Sequence, residues 1–268
     1  MPDKEEVFVV NGYRAVIMQP ENANGKWIWK TEFFHAFEAA EEALYRAGYT
    51  RVYYEISDKY GSPEAVRLMY DFYKVLRERI KLDEKGILFG FSRGGLYAFN
   101  FALKHPECVG KVYLDAPVLD LCSWPRTDPV YGEMELHEQV MKEYGFETET
   151  EFLNYTAYPV EKLKEYFENG IPTLLIAGDD DRTVDFRRNS EIMIRYCEQN
   201  GISLVYYVKA GADHHPHSFG NLKDPWKGGR EYPETFEVYA PSEVGSSRCN
   251  PVVIKSDVSI VTNFVKTS

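Results

Sequence analysis

Short apolar segments alternate with segments of helical spacing along most of this chain, and this alternation constrains the fold more than any other feature. The strand-like segments are EVFVV, YRAVIMQ, RVYYEI (51–56), GILFGF (86–91), KVYLDAP, IPTLLIAG and, as the final strand, SLVYYVK. The helix-like segments are 33–48, SPEAVRLMYDFYKVLRERI with Ser62 as its N-cap, 96–105, 187–200 and 256–266. The pattern predicts an α/β fold in a single domain, with a mostly parallel twisted sheet and helices on both faces.

Two segments do not follow the alternation. Residues 118–170 contain helical patterns and loops without a convincing strand, which predicts a small helical cap inserted over the sheet edge. Residues 216–250 are rich in glycine, proline and aromatic residues and are too long for an ordinary connection, so they predict a long loop.

Charge and hydropathy argue against two classes of partner. The chain has 268 residues and a net charge of −11, whereas nucleic-acid binding requires clustered lysine and arginine. No apolar run reaches the roughly 20 residues of a membrane-spanning helix. We therefore expect neither a nucleic-acid partner nor a membrane partner, while the oligomeric state stays open.

The first residues and the cysteines bear on the cellular compartment. The start, MPDKEEVFVV, is charged where a signal peptide is apolar. This predicts a cytoplasmic protein, or a secreted or periplasmic one if a signal peptide has been removed. The cysteines form no CxxC pair and predict free thiols rather than disulfides or a zinc site. They are Cys108, Cys122, Cys197 and Cys249.

The glycines around Ser92 mark the junction between a predicted strand and a predicted helix. Gly90 and Gly94 stand two residues before and two residues after Ser92, in the pattern G-x-S-x-G. On a sharp strand-to-helix turn, these positions pack so closely that a β-carbon would clash. The pattern predicts that Ser92 is a nucleophile at a helix N-terminus, where the backbone N–H of Arg93 helps to hold an oxyanion.

A serine nucleophile requires a base, and the base requires a carboxylate that orients it. On this kind of fold the acid and the base follow later strands, in the order serine, acid, histidine. The segment DDDRTVDF follows IPTLLIAG, and within it we favour Asp181, three residues past Gly178. Asp115, at the end of the preceding strand, is the alternative acid.

Three of the six histidines fall within the four positions 214–217, in the loop that follows the segment SLVYYVK. We expect His214 to be the base, because it comes first after the turn at 211–213 and can reach back over the sheet edge. His215 is the alternative base. We expect His217 to hydrogen-bond within its own loop.

With Ser92, Asp181 and His214 in these roles, the chain resembles the α/β-hydrolase superfamily over nearly its whole length. It is most similar to bacterial acyl hydrolases related to prolyl-oligopeptidase-like and carbohydrate-esterase proteins. The segments that carry the resemblance are WIWKTEFF, GFSRGGLYAFN, YLDAPVLDLCSWP, GDDDRTVDF and GADHHPHSF. The resemblance implies an α/β-hydrolase fold and the chemistry of a serine hydrolase.

One part of the superfamily pattern is missing. The usual His-Gly-Gly oxyanion loop does not follow YRAVIMQ, and PENANGKWIWK stands in its place. We therefore predict that the backbone N–H of Trp29 is the second oxyanion donor.

Four tryptophans fall in predicted loops at the carboxyl edge of the sheet, where ligands bind in such folds. Trp27, Trp29 and Trp124 are predicted to form an apolar wall of the substrate pocket, and Trp226 is a further candidate. The alternative is that these rings pin loops to the core.

The side chain of Arg93 also needs an explanation, because a cation at a helix N-terminus opposes the helix dipole. We expect it to form an ion pair with Asp115 or Asp120. Alternatively, it binds an anionic or hydroxyl-rich substrate.

The expected function is that of a serine hydrolase that forms an acyl-enzyme intermediate. The preferred substrate is a small-molecule carboxylic ester with a small or aromatic acyl group, and esters on a carbohydrate are included. An oligopeptidase-like serine peptidase is the alternative, and a non-catalytic ligand-binding protein on a hydrolase scaffold is the second alternative. We expect no metal and no organic cofactor, because the clustered histidines lie beside carboxylates that already have roles.

Overall fold

The structure is a computed structural model that describes residues 4–127, 132–215, 217, 235–239, 252–255 and 259–267. Its strands are β1 (Lys4–Val10), β2 (Tyr13–Gln19), β3 (Trp27–Lys30), β4 (Thr50–Tyr54), β5 (Gly86–Phe91), β6 (Val109–Asp115), β7 (Thr173–Gly178), β8 (Val205–Lys209), β9 (Thr235–Tyr239) and β10 (Val252–Lys255). Its α-helices are α1 (Ala39–Arg46), α2 (Pro63–Arg79), α3 (Gly94–Lys104), α4 (Met134–Tyr144), α5 (Glu149–Leu153), α6 (Leu163–Glu168), α7 (Ser190–Asn200) and α8 (Ser259–Lys266).

All of these strands belong to one sheet, in the order β1-β2-β4-β3-β5-β6-β7-β8-β9-β10. The central strands from β4 to β8 are parallel, whereas β1, β2, β9 and β10 pair antiparallel at the two edges. Because the parallel strands point the same way, the loops that follow them lie along one edge of the sheet. The predicted fold class, a mostly parallel sheet with helices on both faces, is confirmed.

The helices cover both faces of the sheet and enclose two hydrophobic cores. On one face, α1 and α8 pack over Ile87, Phe89 and Phe91 of β5. On the other face, α2, α3 and α7 pack over a core that contains the intervening Leu88. Side chains alternate between the two faces of a strand, so β5 is apolar on both faces because both faces are covered.

Three predictions about these elements are wrong. The segment WIWK lies in a predicted loop but forms strand β3, whose residues are all buried and pair with β4 and β5. The helix predicted over 33–48 begins only at Ala39. Phe33 and Phe37 both have a φ of +57°, which a right-handed helix cannot contain. SLVYYVK is not the final strand, since β9 and β10 follow it.

The segment predicted as a cap is described at 118–127 and 132–170, where it contains α4, α5 and α6. Helix α6 packs on α3, where the rings of Tyr166 and Phe99 stack with centroids 4.2 Å apart. Helix α4 contacts the turn that follows β4. The segment therefore packs beside α3, on the face of the sheet that α2, α3 and α7 cover.

Other predictions lie partly outside the described residues. Most of the predicted loop at 216–250 does so, together with Trp226 and Cys249. Of the remaining cysteines, Cys108, Cys122 and Cys197 are free thiols, as predicted. No helix in the described part of the chain combines the length and the apolar character that crossing a membrane requires.

Candidate active site

Ser92 lies on a sharp turn between β5 and α3. Its φ is +50°, in the left-handed region that is unfavourable for a residue with a β-carbon. A β-carbon on Gly90 would lie 2.9 Å from Cβ of Ala98, and one on Gly94 would lie 2.9 Å from Oγ1 of Thr31. Both positions therefore require glycine, as the G-x-S-x-G pattern predicts, and the compressed turn places Ser92 just beyond the strand end.

Backbone hydrogen bonds fix this turn. The N–H of Ser92 donates to the carbonyl of Asp115 at 2.9 Å, and the carbonyl of Ser92 accepts from Gly95 and Val118 at 2.9 Å each. Arg93 is the N-cap residue of α3, and N–H groups at the start of a helix have no acceptor within the helix. This position is suited to an N–H group that donates to an oxyanion.

The side chain of Arg93 pairs with Glu32, with 3.2 Å between Nη2 and Oε2, and its guanidinium lies over the ring of Phe33. The predicted ion pair is therefore wrong, since Asp115 and Asp120 pair with other residues. Burial raises the pKa of Glu32, and the charge of Arg93 opposes that shift. Glu32 lies two residues beyond the end of β3, a strand that the sequence pattern did not predict, so this partner was missed.

Two neighbouring loops at the carboxyl edge of the sheet bring the acid and the base together. The loop after β7 contains Asp181, and the segment after β8 leads to His214. The two loops are joined by a hydrogen bond from the N–H of Asp180 to the carbonyl of Ala212, at 3.0 Å. The pairing of β7 with β8 therefore determines that these loops meet.

Ser92, His214 and Asp181 form a chain of hydrogen bonds. Nε2 of His214 lies 3.0 Å from Oγ of Ser92, and Nδ1 lies 2.7 Å from Oδ2 of Asp181. The other carboxylate oxygen accepts from the N–H groups of Thr183 and Val184, at 3.0 and 2.8 Å. In this geometry an imidazole can remove the serine proton while the carboxylate holds the ring in the required tautomer.

The alternative base and the alternative acid take other positions. His215 is half-buried and lies beside His214, with ring centroids 5.1 Å apart. Asp115 is fully buried, and its Oδ1 lies 2.8 Å from Nδ1 of His217. His217 thus reaches back to the end of β6 instead of bonding only within its own loop.

The buried pair of His217 and Asp115 lies directly behind the base. Burial lowers the pKa of His217 to about 4, although the Asp115 carboxylate opposes this shift, so the imidazole is neutral near pH 7. Because Nδ1 donates to the carboxylate, Nε2 of His217 carries the lone pair. The rings of His217 and His214 lie 5.0 Å apart between centroids, so the pair also supports the position of the base.

A pocket of about 480 Å³ opens beside Ser92. Two loops form its wall, the segment that follows β3 and the histidine segment that follows β8. The lining residues are Phe33, Phe34, His35, Ala36, Phe37, Ser92, His214, His215 and His217. Such an aromatic lining suits an apolar or aromatic group held next to the serine hydroxyl.

Three of the four tryptophans that the sequence suggested for this wall lie in the core, so the prediction is wrong for them. Trp27 and Trp29 are each 1% exposed on β3, where they fill the space between the sheet and α2. Trp124 is 5% exposed within the same core, and Arg93 is not among the lining residues. The wall comes instead from residues 33–37. The sequence feature that could have identified these residues is the aromatic run FFHAF shortly after β3. It was missed because the same residues were assigned to a predicted helix.

Trp29 is also excluded as an oxyanion donor. It lies inside β3, where it pairs with residues of β4 and β5. The loop after β3 approaches the serine turn, because the backbone nitrogen of Glu32 lies 3.5 Å from where a β-carbon on Gly94 would be. We therefore expect the second donor to be a backbone N–H of Glu32 or Phe33.

A buried cluster of charges lies behind the aromatic wall. The ammonium group of Lys30 donates to the carbonyl of Ala36 and pairs with Glu41, and both charged side chains are 1% exposed. Arg51 donates to the carbonyl of Phe34 at 3.3 Å and pairs with Glu41 at 3.1 Å. Burial lowers the pKa of Lys30, and the charge of Glu41 opposes that shift. Two cations thus hold backbone carbonyls of the pocket wall, and Glu41 compensates both.

Replacing Glu41 with Gln is expected to lower the free energy of unfolding by about 3–5 kcal/mol, because it leaves the buried ammonium group of Lys30 without a carboxylate partner, while Arg51 keeps its ion pair with Glu38. Urea unfolding of the purified variant measures this loss. The matched control is Glu42→Gln, since Glu42 pairs with Arg46 at the surface and its side chain is 52% exposed. The control should lose no more than about 1 kcal/mol. Equal losses in the two variants would contradict a special role of Glu41.

Comparisons with known proteins identify relatives of this chain. The model of the family described as the prolyl oligopeptidase family matches residues 53–226, which is more than half of the chain. No sequence of a curated protein matches. Both the superfamily resemblance and its prolyl-oligopeptidase-like character are therefore confirmed.

Solved structures similar to this one include two peptidases. Dipeptidyl peptidase 4 of Porphyromonas gingivalis aligns with a TM-score of 0.59 and 13% identity over 80% of this chain and 32% of its own. A puromycin-hydrolysing peptidase of Mycobacterium tuberculosis aligns with a TM-score of 0.64 and 12% identity, over 80% of this chain and 36% of its own. The chain thus spans about a third of the length of these two proteins.

A shorter protein is also similar. An α/β-hydrolase enzyme from the metagenome of lagoon sediments at Mar Chica, Morocco, aligns with a TM-score of 0.52 and 15% identity. The alignment covers 78% of this chain and 89% of that protein. At such identities the likeness establishes a shared fold.

Proposed function

The chain belongs to the prolyl oligopeptidase family and is a serine hydrolase, and from this premise we propose that it is a peptidase that cleaves short peptides at an apolar or aromatic residue. The observation that carries the proposal is that Ser92, His214 and Asp181 are joined by hydrogen bonds beside a pocket with aromatic side chains in its wall.

In the proposed reaction, Oγ of Ser92 attacks the carbonyl carbon of the scissile bond while Nε2 of His214 takes its proton. The carboxylate of Asp181 stabilises the imidazolium, and the N–H of Arg93 donates to the oxyanion. The C–N bond then breaks, and the amine leaves with the proton that His214 carries. A water molecule, activated by the same imidazole, hydrolyses the acyl-enzyme and restores the serine.

Family membership supports the choice of an amide bond, because a family described as prolyl oligopeptidases provides the match over residues 53–226. The carboxylic-ester hydrolase expected from the sequence would use the same three residues and the same intermediate. The aromatic wall supports an apolar or aromatic side chain next to the scissile carbonyl. It does not favour a carbohydrate, since the described lining residues include no carboxylate, amide or guanidinium side chain that would hydrogen-bond the hydroxyl groups of a sugar.

The test is a comparison of kcat/KM for short peptide anilides and for acyl esters. We expect turnover of peptide anilides with phenylalanine or leucine before the scissile bond, and turnover at least about tenfold lower with aspartate or lysine there. Hydrolysis of acetyl or feruloyl esters without any cleavage of the anilides would contradict the proposal and favour the esterase.

Replacing Phe37 with alanine tests the wall. The ring of Phe37 lies in the pocket, with its centroid 4.5 Å from that of His217. We expect kcat/KM for the phenylalanine substrate to fall roughly 10- to 100-fold, mainly through KM, because an apolar contact with the substrate is lost. The matched control is Phe167→Ala, on α6 and outside the pocket lining. If both variants lose the same activity, the wall does not select the substrate.

A further inference from the structure

Although the sequence led us to expect no metal, we propose that His214, His215 and His217 also form a binding site for a divalent transition metal such as Zn²⁺, and that the bound metal blocks the hydrolase. One ring nitrogen from each histidine lies within 4.8 Å of the other two. Imidazole nitrogens are common ligands of Zn²⁺. The metal site does not depend on the proposed function, whereas the inhibition rests on it.

The spacing is close to what zinc requires. Tetrahedral zinc with bonds of about 2.0–2.1 Å to nitrogen holds its ligand atoms about 3.4 Å apart. Since the three nitrogens lie within 4.8 Å of one another, binding requires each pair to approach by at most about 1.4 Å. The rings pack edge to face on one another, with centroids 4.7 to 5.1 Å apart, so they converge on one region of the pocket.

Two of the three histidines are already oriented in the way that metal ligands commonly are. Nδ1 of His214 bonds to Asp181 at 2.7 Å, and Nδ1 of His217 bonds to Asp115 at 2.8 Å. A histidine that binds a metal usually donates its other ring N–H to a carboxylate, which fixes the tautomer and makes the nitrogen more basic. Here the carboxylates leave Nε2 of both histidines as the electron-pair donor.

The place of the cluster explains why metal binding would inhibit. His214 and His217 are buried and His215 is half-buried, and all three line the pocket that opens beside Ser92. Three protein ligands leave a fourth zinc position for water or for the serine hydroxyl. A metal on Nε2 of His214 occupies the electron pair that accepts the proton of Ser92, 3.0 Å away. The base is then unable to act.

Binding is tested with Co²⁺, because its visible absorption reports coordination by protein ligands. We expect the full chain to bind one Co²⁺ ion, with intensified visible bands, and Zn²⁺ to displace it. Ser92→Ala should bind as the unaltered chain does, while His215→Ala and His217→Ala should each weaken binding at least about tenfold. The control His105→Ala, at the far end of α3, should leave binding unchanged. The site would be overturned if the full chain bound no Co²⁺, or if His215→Ala and His217→Ala bound Co²⁺ as tightly as the unaltered chain does.

Inhibition is tested separately. Zn²⁺ should abolish turnover of the active enzyme, and a chelator should restore it. The Zn²⁺ concentration that halves the rate of His215→Ala, measured relative to the metal-free rate of that variant, should be at least about tenfold higher than for the unaltered enzyme. The reason is that the variant has lost one metal ligand. If Ser92→Ala binds Co²⁺ but no peptide is cleaved by the wild type, the metal site stands and the proposed function fails. If peptides are cleaved at an unchanged rate while Zn²⁺ is bound, the inhibition is wrong.

Discussion

Replacing Ser92 with alanine should lower kcat about 10⁶-fold, because the hydroxyl oxygen forms the only covalent bond between the enzyme and the acyl group. The free energy of unfolding should change by less than about 1 kcal/mol, since alanine and serine tolerate the turn equally and little volume is lost. Turnover of a peptide anilide and labelling by a fluorophosphonate probe measure the loss. Thermal unfolding measures whether the fold is retained.

Two further histidine variants, one in the site and one outside it, serve as comparison and control for this test. The kcat of His214→Ala should fall nearly as far as that of Ser92→Ala. The kcat of the double variant should fall no further than that of either single variant, because the two residues act as a unit. His105→Ala should keep full activity, since its ring stacks on Tyr70, outside the pocket. Retained labelling of a folded Ser92→Ala protein would show that another residue is the nucleophile.

Replacing Asp181 with asparagine should lower kcat about 10⁴-fold without unfolding the protein. The carboxylate oxygen 2.7 Å from Nδ1 of His214 keeps the proton on that nitrogen. An amide NH₂ group in the same place would favour the tautomer with its proton on Nε2, which cannot accept the proton of Ser92. Single-turnover kinetics with a peptide anilide separate this loss in the chemical step from weaker binding.

The neighbouring aspartate provides the matched control for this substitution. Asp180 pairs with Arg182, and its side chain is 52% exposed. Asp180→Asn should change kcat by less than about threefold, because a surface ion pair contributes little. If Asp180→Asn and Asp181→Asn have the same effect, Asp181 does not orient the base. A larger loss in Asp115→Asn than in Asp181→Asn would instead point to the alternative acid.

Several parts of the site could be predicted because their signals are local. The pattern around Ser92 specifies a turn through residues that are adjacent in the chain, and the positive φ follows from the same few residues. Asp181 and His214 each follow a buried strand, and parallel neighbouring strands bring such loops to one edge of a sheet. The N-cap at Ser62 is equally local, since its hydroxyl accepts from the N–H of Ala65 three residues later.

Strand β3 and the aromatic wall could not be predicted in the same way. Four residues, WIWK, are too few to show a periodic pattern, and their strand character comes from pairing with β4 and β5. The residues that follow have helical spacing, but the backbone of 33–37 is held by Lys30 and Arg51 from strands on either side of it in the chain. Tertiary contacts there outweigh the local preference for a helix.

The sequence by itself thus determined the α/β class, the serine turn and the loops in which an acid and a base were to be found. The tertiary structure alone decided which charged groups pair, such as Arg93 with Glu32, 61 residues apart, and His217 with Asp115, 102 residues apart. The physical reason is that a turn or a helix end is specified by neighbours in the chain. The partner of a buried charge is whichever opposite group the packing of the sheet brings within hydrogen-bond distance.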